Sequence, residues 1–309
     1  MVKSIQFNTQ DLIPRAWANL KGPIRVFNPS LLRTKAGWIM AYRLVGDDQK
    51  RRIALCRLNE ELNVIKDSLV AFSDYLKGCN RDWYADPRLY QSGDHLYIYW
   101  NTGWHEPRNF QYVQAIDPKT YLPISSLIEF NVKDNQNPLE KNWMLFGDAL
   151  EYAVYSVNPH RILKTNLGKT ESSMEDFHIE AWNNEPYESL YGKLRGGAPP
   201  QLVGDEYFSI CHSVYGVEGN YTYSAACYSF SHKAPFSPKR KPRGFVPLPK
   251  REGDRQYEKL NPAVGEVLYP CGAIIQNGLW YISYGINDES CAIAIIKHDD
   301  LLKYTECIA

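Results

Sequence analysis

A carboxylate and a guanidinium stand two residues apart at Asp86-Pro87-Arg88, on a turn that the proline stiffens. An acid placed this way can deliver a proton to a departing oxygen, and a neighbouring cation can set its ionisation. Further polar clusters recur along the chain in comparable surroundings: Asn28 ahead of Pro29, Lys141 with Asn142, Arg195 ahead of Gly196-Gly197, and Asp288 shortly after Tyr284-Gly285. An isolated Asp-Pro-Arg is most often a structural ion pair. Clusters at matching positions of a repeat need another reason, because surface turns have no use for Lys, Arg and Asp where Gly, Ser and Asn would serve.

The repeat supplies the elements that must position these groups. A short polar turn leads into an apolar strand, then a Gly or Asp turn, then an aromatic-rich strand, with starts at Asn28, Asp86, Asn142, Gly197 and Tyr269. The second strands are nearly written out, as in Gly37-Trp38-Ile39-Met40-Ala41-Tyr42 and Leu279-Trp280-Tyr281-Ile282-Ser283-Tyr284. Third strands follow, such as Arg52-Ile53-Ala54-Leu55-Cys56. Repeated antiparallel strands with Pro and Gly punctuation read as blades around an axis, so the expected fold is all-β, a five-bladed β-propeller forming one domain over residues 1–309. Helix is limited to turns near Asp11 to Leu20 and Asp299 to Lys303. Glu171 to Leu194 and Phe236 to Pro262 read as loops on the disc. In a propeller the innermost strands line the channel, so the five blade starts converge there.

The composition narrows the partners. Thirty-five basic residues balance thirty-five acidic ones, which excludes the net field that gathers nucleic acid or anionic lipid. The one basic run, Lys239 to Arg243, sits among prolines and reads as a solvated loop. Seven scattered cysteines without a C-x-x-C pair read as reduced thiols rather than zinc ligands. No apolar leader or membrane-length segment is present in the sequence, which points to the cytoplasm and to no membrane partner. Twenty-two Tyr, eight Trp and eleven Phe suit strand packing and also surfaces that stack on sugar rings. Glycoside chemistry needs a proton for the leaving oxygen and a nucleophile on the opposite face of the ring, which fits one acid and a separated second group in a broad funnel.

The same residues resemble glycoside hydrolase family 130, five-bladed propellers that cleave β-mannosides by phosphorolysis or hydrolysis. The carriers are Asn28-Pro29, Ala85-Asp86-Pro87-Arg88, Glu140-Lys141-Asn142-Trp143, Gly196-Gly197-Ala198-Pro199-Pro200, the His212 strand, and Tyr269-Pro270-Cys271-Gly272-Ala273 leading to Tyr284-Gly285-Ile286-Asn287-Asp288. The resemblance implies that Asp86 is the general acid, passing its proton through the sugar's 3-hydroxyl, with Arg88 holding its orientation. It implies a carbohydrate substrate bound by Asn28, Arg88, Lys141, Asn142 and Arg195, and inorganic phosphate held by Arg108, Asn109 and His212. Arg108 reads equally as a rim residue and His212 as a core histidine. Asp288 is the second catalytic candidate, and Asp288 and Glu140 are the carboxylates available to a hydrolase. The chain departs from the family pattern at Ala85, where Glu is usual, at the residue after Gly285, and at Ser213. No cofactor or metal is called for, and a homo-oligomer is left open. Two rivals stay open: a mannosyl transferase of the same fold, and a propeller that binds glycan without turnover.

Overall fold

The computed structural model describes residues 2–79, 83–103, 109–132, 141–165, 167, 174–177, 182–217, 219–251 and 257–308. The strands group into five mainly antiparallel blades, each running from an inner strand outward; the parallel pairings are Met174–Phe177 with Ile128–Val132 and Asn220–Ser231 with Val264–Gln276. Blade 1 is Arg25–Thr34, Gly37–Val45 and Arg51–Leu58. Blade 2 is Ala85–Ser92, His95–Asn101, Gln111–Ile116 and Ile128–Val132. Blade 3 is Met144–Phe146, Tyr152–Ser156, Arg161–Lys164 and Trp182–Asn183.

Blade 4 pairs both Lys193–Arg195 and Gln201–Val203 with the long strand Glu206–Val217, which is followed by Asn220–Ser231 and Pro238–Pro242. Pro199 and Pro200 have no N–H to give, which is why its inner strand is interrupted. Blade 5 is Val264–Gln276, Leu279–Ile286 and Ser290–Lys297, completed by Lys3–Gln6 from the beginning of the chain, in register Lys3↔Ile295 to Gln6↔Ala292. That pairing closes the ring.

The apolar packing lies between blades rather than in one central core. Successive residues of a strand point to opposite faces, so Met40 and Tyr42 pack toward blade 5 with Cys291 and Ile293, while Ile39 and Ala41 pack toward blade 2 with Leu89 and Ile98. The other three interfaces repeat the arrangement, with Tyr99 against Trp143, Met144 against Cys211, and Phe208 against Trp280. Both faces are buried, which explains why the middle strands read as nearly continuous apolar runs.

Inner strands are sheet edges, and their spare N–H groups are taken by the preceding blade. Leu89 N donates to Ser30 Oγ at 2.9 Å, Leu145 N to Tyr90 Oη at 3.1 Å, and Gly197 N to Met144 Sδ at 3.1 Å. The glycines of the repeat allow this approach. A Cβ on Gly272 would lie 2.4 Å from Leu31 N, and one on Gly196 would lie 2.0 Å from Asn142 O.

The segment Phe236 to Pro262 is not wholly a loop. Its basic run belongs to the strand Pro238–Pro242, which pairs with Ser229–Phe230 and with Thr305–Cys307. Arg240 pairs with Glu206 at 3.4 Å and Lys241 with Glu306 at 3.5 Å. Prolines at both ends of the run hid a strand from sequence. Glu171 to Leu194 likewise contains short strands, Met174–Phe177 and Trp182–Asn183, and its last residues enter Lys193–Arg195. The helical turns fall at Thr9–Leu12, Arg15–Trp17 and His298–Leu302, where sequence places them, and also at Lys66–Ser68 and Phe72–Tyr75, where it does not; no described helix is long and apolar enough to cross a membrane. Among the described residues no disulfide joins any of the seven cysteines.

Gly272→Ala is expected to lower stability by about 1–3 kcal/mol through overpacking between blades 5 and 1. The denaturation midpoint in urea checks this; an unchanged midpoint would mean that the inner strands are not so tightly apposed.

Candidate active site at the mouth of the channel

The inner strands of blades 1, 2 and 5 carry a bulge near their starts, with register breaks between Phe27 and Ser30, Ala85 and Arg88, and Pro270 and Gly272. In blades 1 and 2 the bulged residue is Asn28 or Asp86, at φ 53° and 51°, and blade 3 places Asn142 at φ 68° just ahead of its inner strand. Left-handed backbone costs an ordinary residue roughly 1–2 kcal/mol, and Asn and Asp bear it best. The proline after Asn28 and Asp86 biases each of them toward extended backbone, which adds to the strain. Bulges of this kind re-aim a side chain. Asn28 and Asp86 thereby line a common cavity of about 280 Å³ with Arg43, Lys141, Tyr269 and Asp288. Asp288 arrives from the turn after the second strand of blade 5, where Asn287 and Asp288 are both left-handed.

A second cavity of about 250 Å³ adjoins the first and shares Gly103 and Lys141 with it. Its polar lining includes Asn109, Asn142, Asn158, Lys193 and Arg195, and no carboxylate among the described residues. The two lobes differ in charge. Asp86 and Asp288 stand in the first, whereas the second offers cations and amides.

Asp86 is 6% exposed. Asn28 Nδ2 donates to its Oδ1 at 2.7 Å, and Arg43 Nη1 lies 3.5 Å from the same oxygen. Burial alone would raise its pKa, but Arg43, Lys141, the Asn28 hydrogen bond and Arg88 together outweigh burial and hold the carboxyl below its usual range. The carboxylate is therefore the favoured form of Asp86.

Arg88 does not clasp the carboxylate. Its Nε donates to Gly197 O at 2.7 Å and its Nη2 to Tyr269 Oη at 3.1 Å, so it ties blade 2 to blades 4 and 5. Tyr269 Oη in turn donates to Asn142 Oδ1 at 2.5 Å, which leaves the Asn142 amide N–H groups for the second lobe. The orienting partners of Asp86 are Asn28 and Arg43 instead.

Lys141 lies between the lobes. Burial lowers its pKa first, with Arg195 and Arg43 acting the same way, against Asp86 and Asp288, which raise it. His212 is 1% exposed and lines neither lobe; it sits behind the wall, with its ring 4.8 Å from that of Tyr269 and 5.4 Å from that of Tyr223. Its Nδ1 donates to Gly196 O at 2.8 Å, which leaves Nε2 as the unprotonated nitrogen. Burial, helped by Arg195 and Lys141, lowers its pKa to about 3.

Of the residues expected from sequence, Asn28, Asp86, Lys141 and Asp288 share the first lobe, and Asn109, Asn142 and Arg195 join Lys141 in the second. Arg88 and His212 stand behind the walls, and Arg108 and Glu140 lie outside the described residues. Sequence reasoning missed Arg43, Arg51, Trp83 and Tyr223, which also line the first lobe. Arg43 had a signal: it is a lone cation continuing the apolar strand Gly37–Val45. The Cys271 thiol beside Arg88 is buried and pushed well up, so it is a packing group rather than a nucleophile.

A five-bladed β-propeller with paired polar lobes at one mouth of its channel is the class that this geometry defines. The chain belongs to glycoside hydrolase family 130: the family model, described as beta-1,4-mannooligosaccharide phosphorylase, matches residues 5–307. Among solved structures, it is similar to a beta-1,2-mannobiose phosphorylase from Listeria innocua bound to beta-1,2-mannobiose, at 14% identity and TM-score 0.62, covering 97% of this chain and 98% of that one. A mannose phosphorylase from Leishmania mexicana in complex with phosphate is 10% identical at TM-score 0.54, with 94% and 89% covered. A GDP-Man-dependent mannosyltransferase from the same organism is 11% identical at TM-score 0.57, with 90% and 87% covered. At these identities the likeness is one of fold. A comparison with curated proteins returned no match.

The electrostatics predict the acid limb of stability. His212 and the buried, apolar-packed His160 are both lowered from 6.5 to about 3, chiefly by burial, so their neutral forms belong to the fold. From pH 6.5 downward the unfolded chain takes up protons that the fold refuses, and stability should fall by about 1.4 kcal/mol per pH unit for each histidine. Asp86 adds its loss lower still, as the pH falls through its own depressed pKa. Unfolding midpoints against pH check this, and His160→Phe should remove one histidine's share of the slope; a slope unaltered by that change would contradict the assignment.

Proposed function

We propose that the chain is an inverting β-mannoside-active enzyme, working by phosphorolysis, with its site formed within one domain at the mouth of the channel. The observation that carries the reading is the division of charge between the adjoining lobes. A carboxylate acid is useful where the leaving oxygen departs, and a lobe of cations and amides without a carboxylate is useful where an anion attacks from the other side.

In this reading the mannosyl ring spans the lobes at Lys141 and Gly103. Phosphate occupies the second lobe against Lys141, Arg195 and the Asn142 amide, with Asn109 contributing. Its oxygen attacks the anomeric carbon, the glycosidic C–O bond breaks, and the proton of Asp86 reaches the leaving oxygen, through the 3-hydroxyl of the sugar in the scheme that the family resemblance implies. The cations around Asp86 favour its carboxylate. An anion beside Lys141 offsets part of the positive charge that strips its proton, so phosphate binding and a competent acid go together. Asn28 and Arg43 orient the carboxyl, and the brace from Arg88 through Tyr269 orients Asn142. A hydrolase reading would need a carboxylate across the ring from Asp86, and Asp288 stands in the first lobe with Asp86, which favours phosphorolysis.

The test is cleavage of β-1,2- and β-1,4-linked mannobiose at rising phosphate, following mannose 1-phosphate against free mannose. Mannose 1-phosphate at a phosphate-dependent rate is expected. Free mannose at a phosphate-independent rate would replace phosphorolysis with hydrolysis, and neither product would favour transfer from an activated donor, or binding alone. Asp86→Asn should lower turnover about a hundredfold or more. Arg195→Ala should raise the KM for phosphate about tenfold or more, the scale of a lost charged hydrogen bond.

A further inference from the structure

Three arginines on blade 1 have no role in the chemistry described so far beyond the contact of Arg43 with Asp86. Arg25, Arg43 and Arg51 come from three successive strands. Arg25 is paired with Val45 and Val45 with Arg51, while Arg43 lies two residues before Val45, so all three project from one face of the blade. Each has a buried Nε without a hydrogen-bond partner. Their other contacts are mostly to carbonyls and rings: Arg25 donates to Glu258 O at 2.9 Å and lies over Tyr257, Arg51 donates to Gln49 O at 2.9 Å and lies 4.5 Å from the Trp83 ring centroid, and Arg43 lies over Phe27. Among the described residues, the carboxylate within ion-pairing distance of the three is that of Asp86, 3.5 Å from Arg43.

Partly buried cations with so little counter-charge are costly, and Arg51 registers the cost: burial, with Arg43 and Arg25, lowers its pKa to about 10 against the opposing pull of Asp288. The imbalance deepens during turnover, because Asp86 must be protonated to serve the leaving oxygen, and Arg43 then loses its partner. Arg43, Arg51 and Trp83 all line the first lobe, the side on which the leaving group must sit if phosphate takes the second. A guanidinium fork binds carboxylate or phosphate oxygens in pairs, and an indole offers a face to a sugar ring.

We propose that the Arg43 and Arg51 side of the first lobe is a subsite for an anionic group, a carboxylate or a phosphate ester, carried by the sugar that leaves. The proposal rests on the reading of Asp86 as the acid in β-mannoside phosphorolysis. The substrate of this chain is then a β-mannoside of an acidic sugar rather than a neutral mannan.

The test runs the reaction in the synthetic direction, with mannose 1-phosphate as donor and glucose, glucuronate or glucose 6-phosphate as acceptor, following phosphate release. At least one acidic acceptor should exceed glucose about tenfold or more in kcat/KM. Arg51→Gln should bring that ratio close to one and Arg51→Lys should retain part of it, with unfolding midpoints confirming that both variants fold. Glucuronate preferred over glucose 6-phosphate assigns a carboxylate, and the reverse a phosphate ester. Calorimetric binding of the same three sugars to the unaltered chain and to Arg51→Gln gives a readout independent of turnover. Glucose used as well as both acidic acceptors would overturn the subsite and leave the phosphorolysis reading standing. No turnover with any acceptor, but Arg51-dependent binding of an acidic sugar, would keep the subsite and overturn that reading. Neither turnover nor such binding would overturn the subsite.

Discussion

The candidate site depends on how closely five inner strands can approach around one axis. A Cβ on Gly285 would fall 2.1 Å from Asn28 Oδ1 and 2.8 Å from Asn28 N, and one on Gly197 would fall 3.1 Å from Pro270 O of blade 5. Without side chains at these points the blades can converge until Asn28 of blade 1 touches Asp86 of blade 2, and until Arg88 of blade 2 reaches Gly197 of blade 4 and Tyr269 of blade 5. The glycines thus act at a distance from the chemistry. They set the radius of the channel, and the radius decides which polar groups can meet.

Close approach also removes water, and this gives the charged groups their force. Arg88 is fully buried, held by a carbonyl, a phenol and the Tyr99 ring rather than by a carboxylate. Its field, with those of Arg43 and Lys141, is felt by Asp86 across a poorly screening interior. The same interior keeps His212 neutral, so that it stands in the wall as an oriented dipole and not as another cation. Strain and charge are concentrated on the same few residues, while the apolar layers between the blades hold them there.

The blades were legible in sequence because their middle strands are buried on both faces, leaving runs such as Leu279–Ile286 that few other folds produce. Five polar positions at the starts of the repeat were legible for the same reason, since equivalent places in equivalent blades must converge. What sequence did not reveal was set by register between blades. Nothing local distinguishes Arg88, which braces the ring, from Arg43, which contacts the acid; the difference is a bulge at Asp86 that turns one residue inward and the next but one sideways. Trp83 and Tyr223 approach the cavity from outside the inner strands' starts, where the repeat gives no guide. The strand Pro238–Pro242 was obscured by its charges, which are balanced by Glu206 and Glu306, residues that only the fold brings near.

The outer strand of blade 5 has a consequence for how the ring is made. Lys3–Gln6 finds its partner, Ser290–Lys297, at the far end of the chain, and Thr305–Cys307 reaches back to Pro238–Pro242 of blade 4. These are contacts of nearly the highest sequence separation the chain allows, and loop closure makes such contacts slow to form. The ring stays open, and the facing sides of blades 1 and 5 stay unpaired, until Ser290–Lys297 is available to meet Lys3–Gln6. The channel mouth, which needs all five blades, is therefore a late product of folding. Its assembly is coupled to the meeting of the two ends of the sequence.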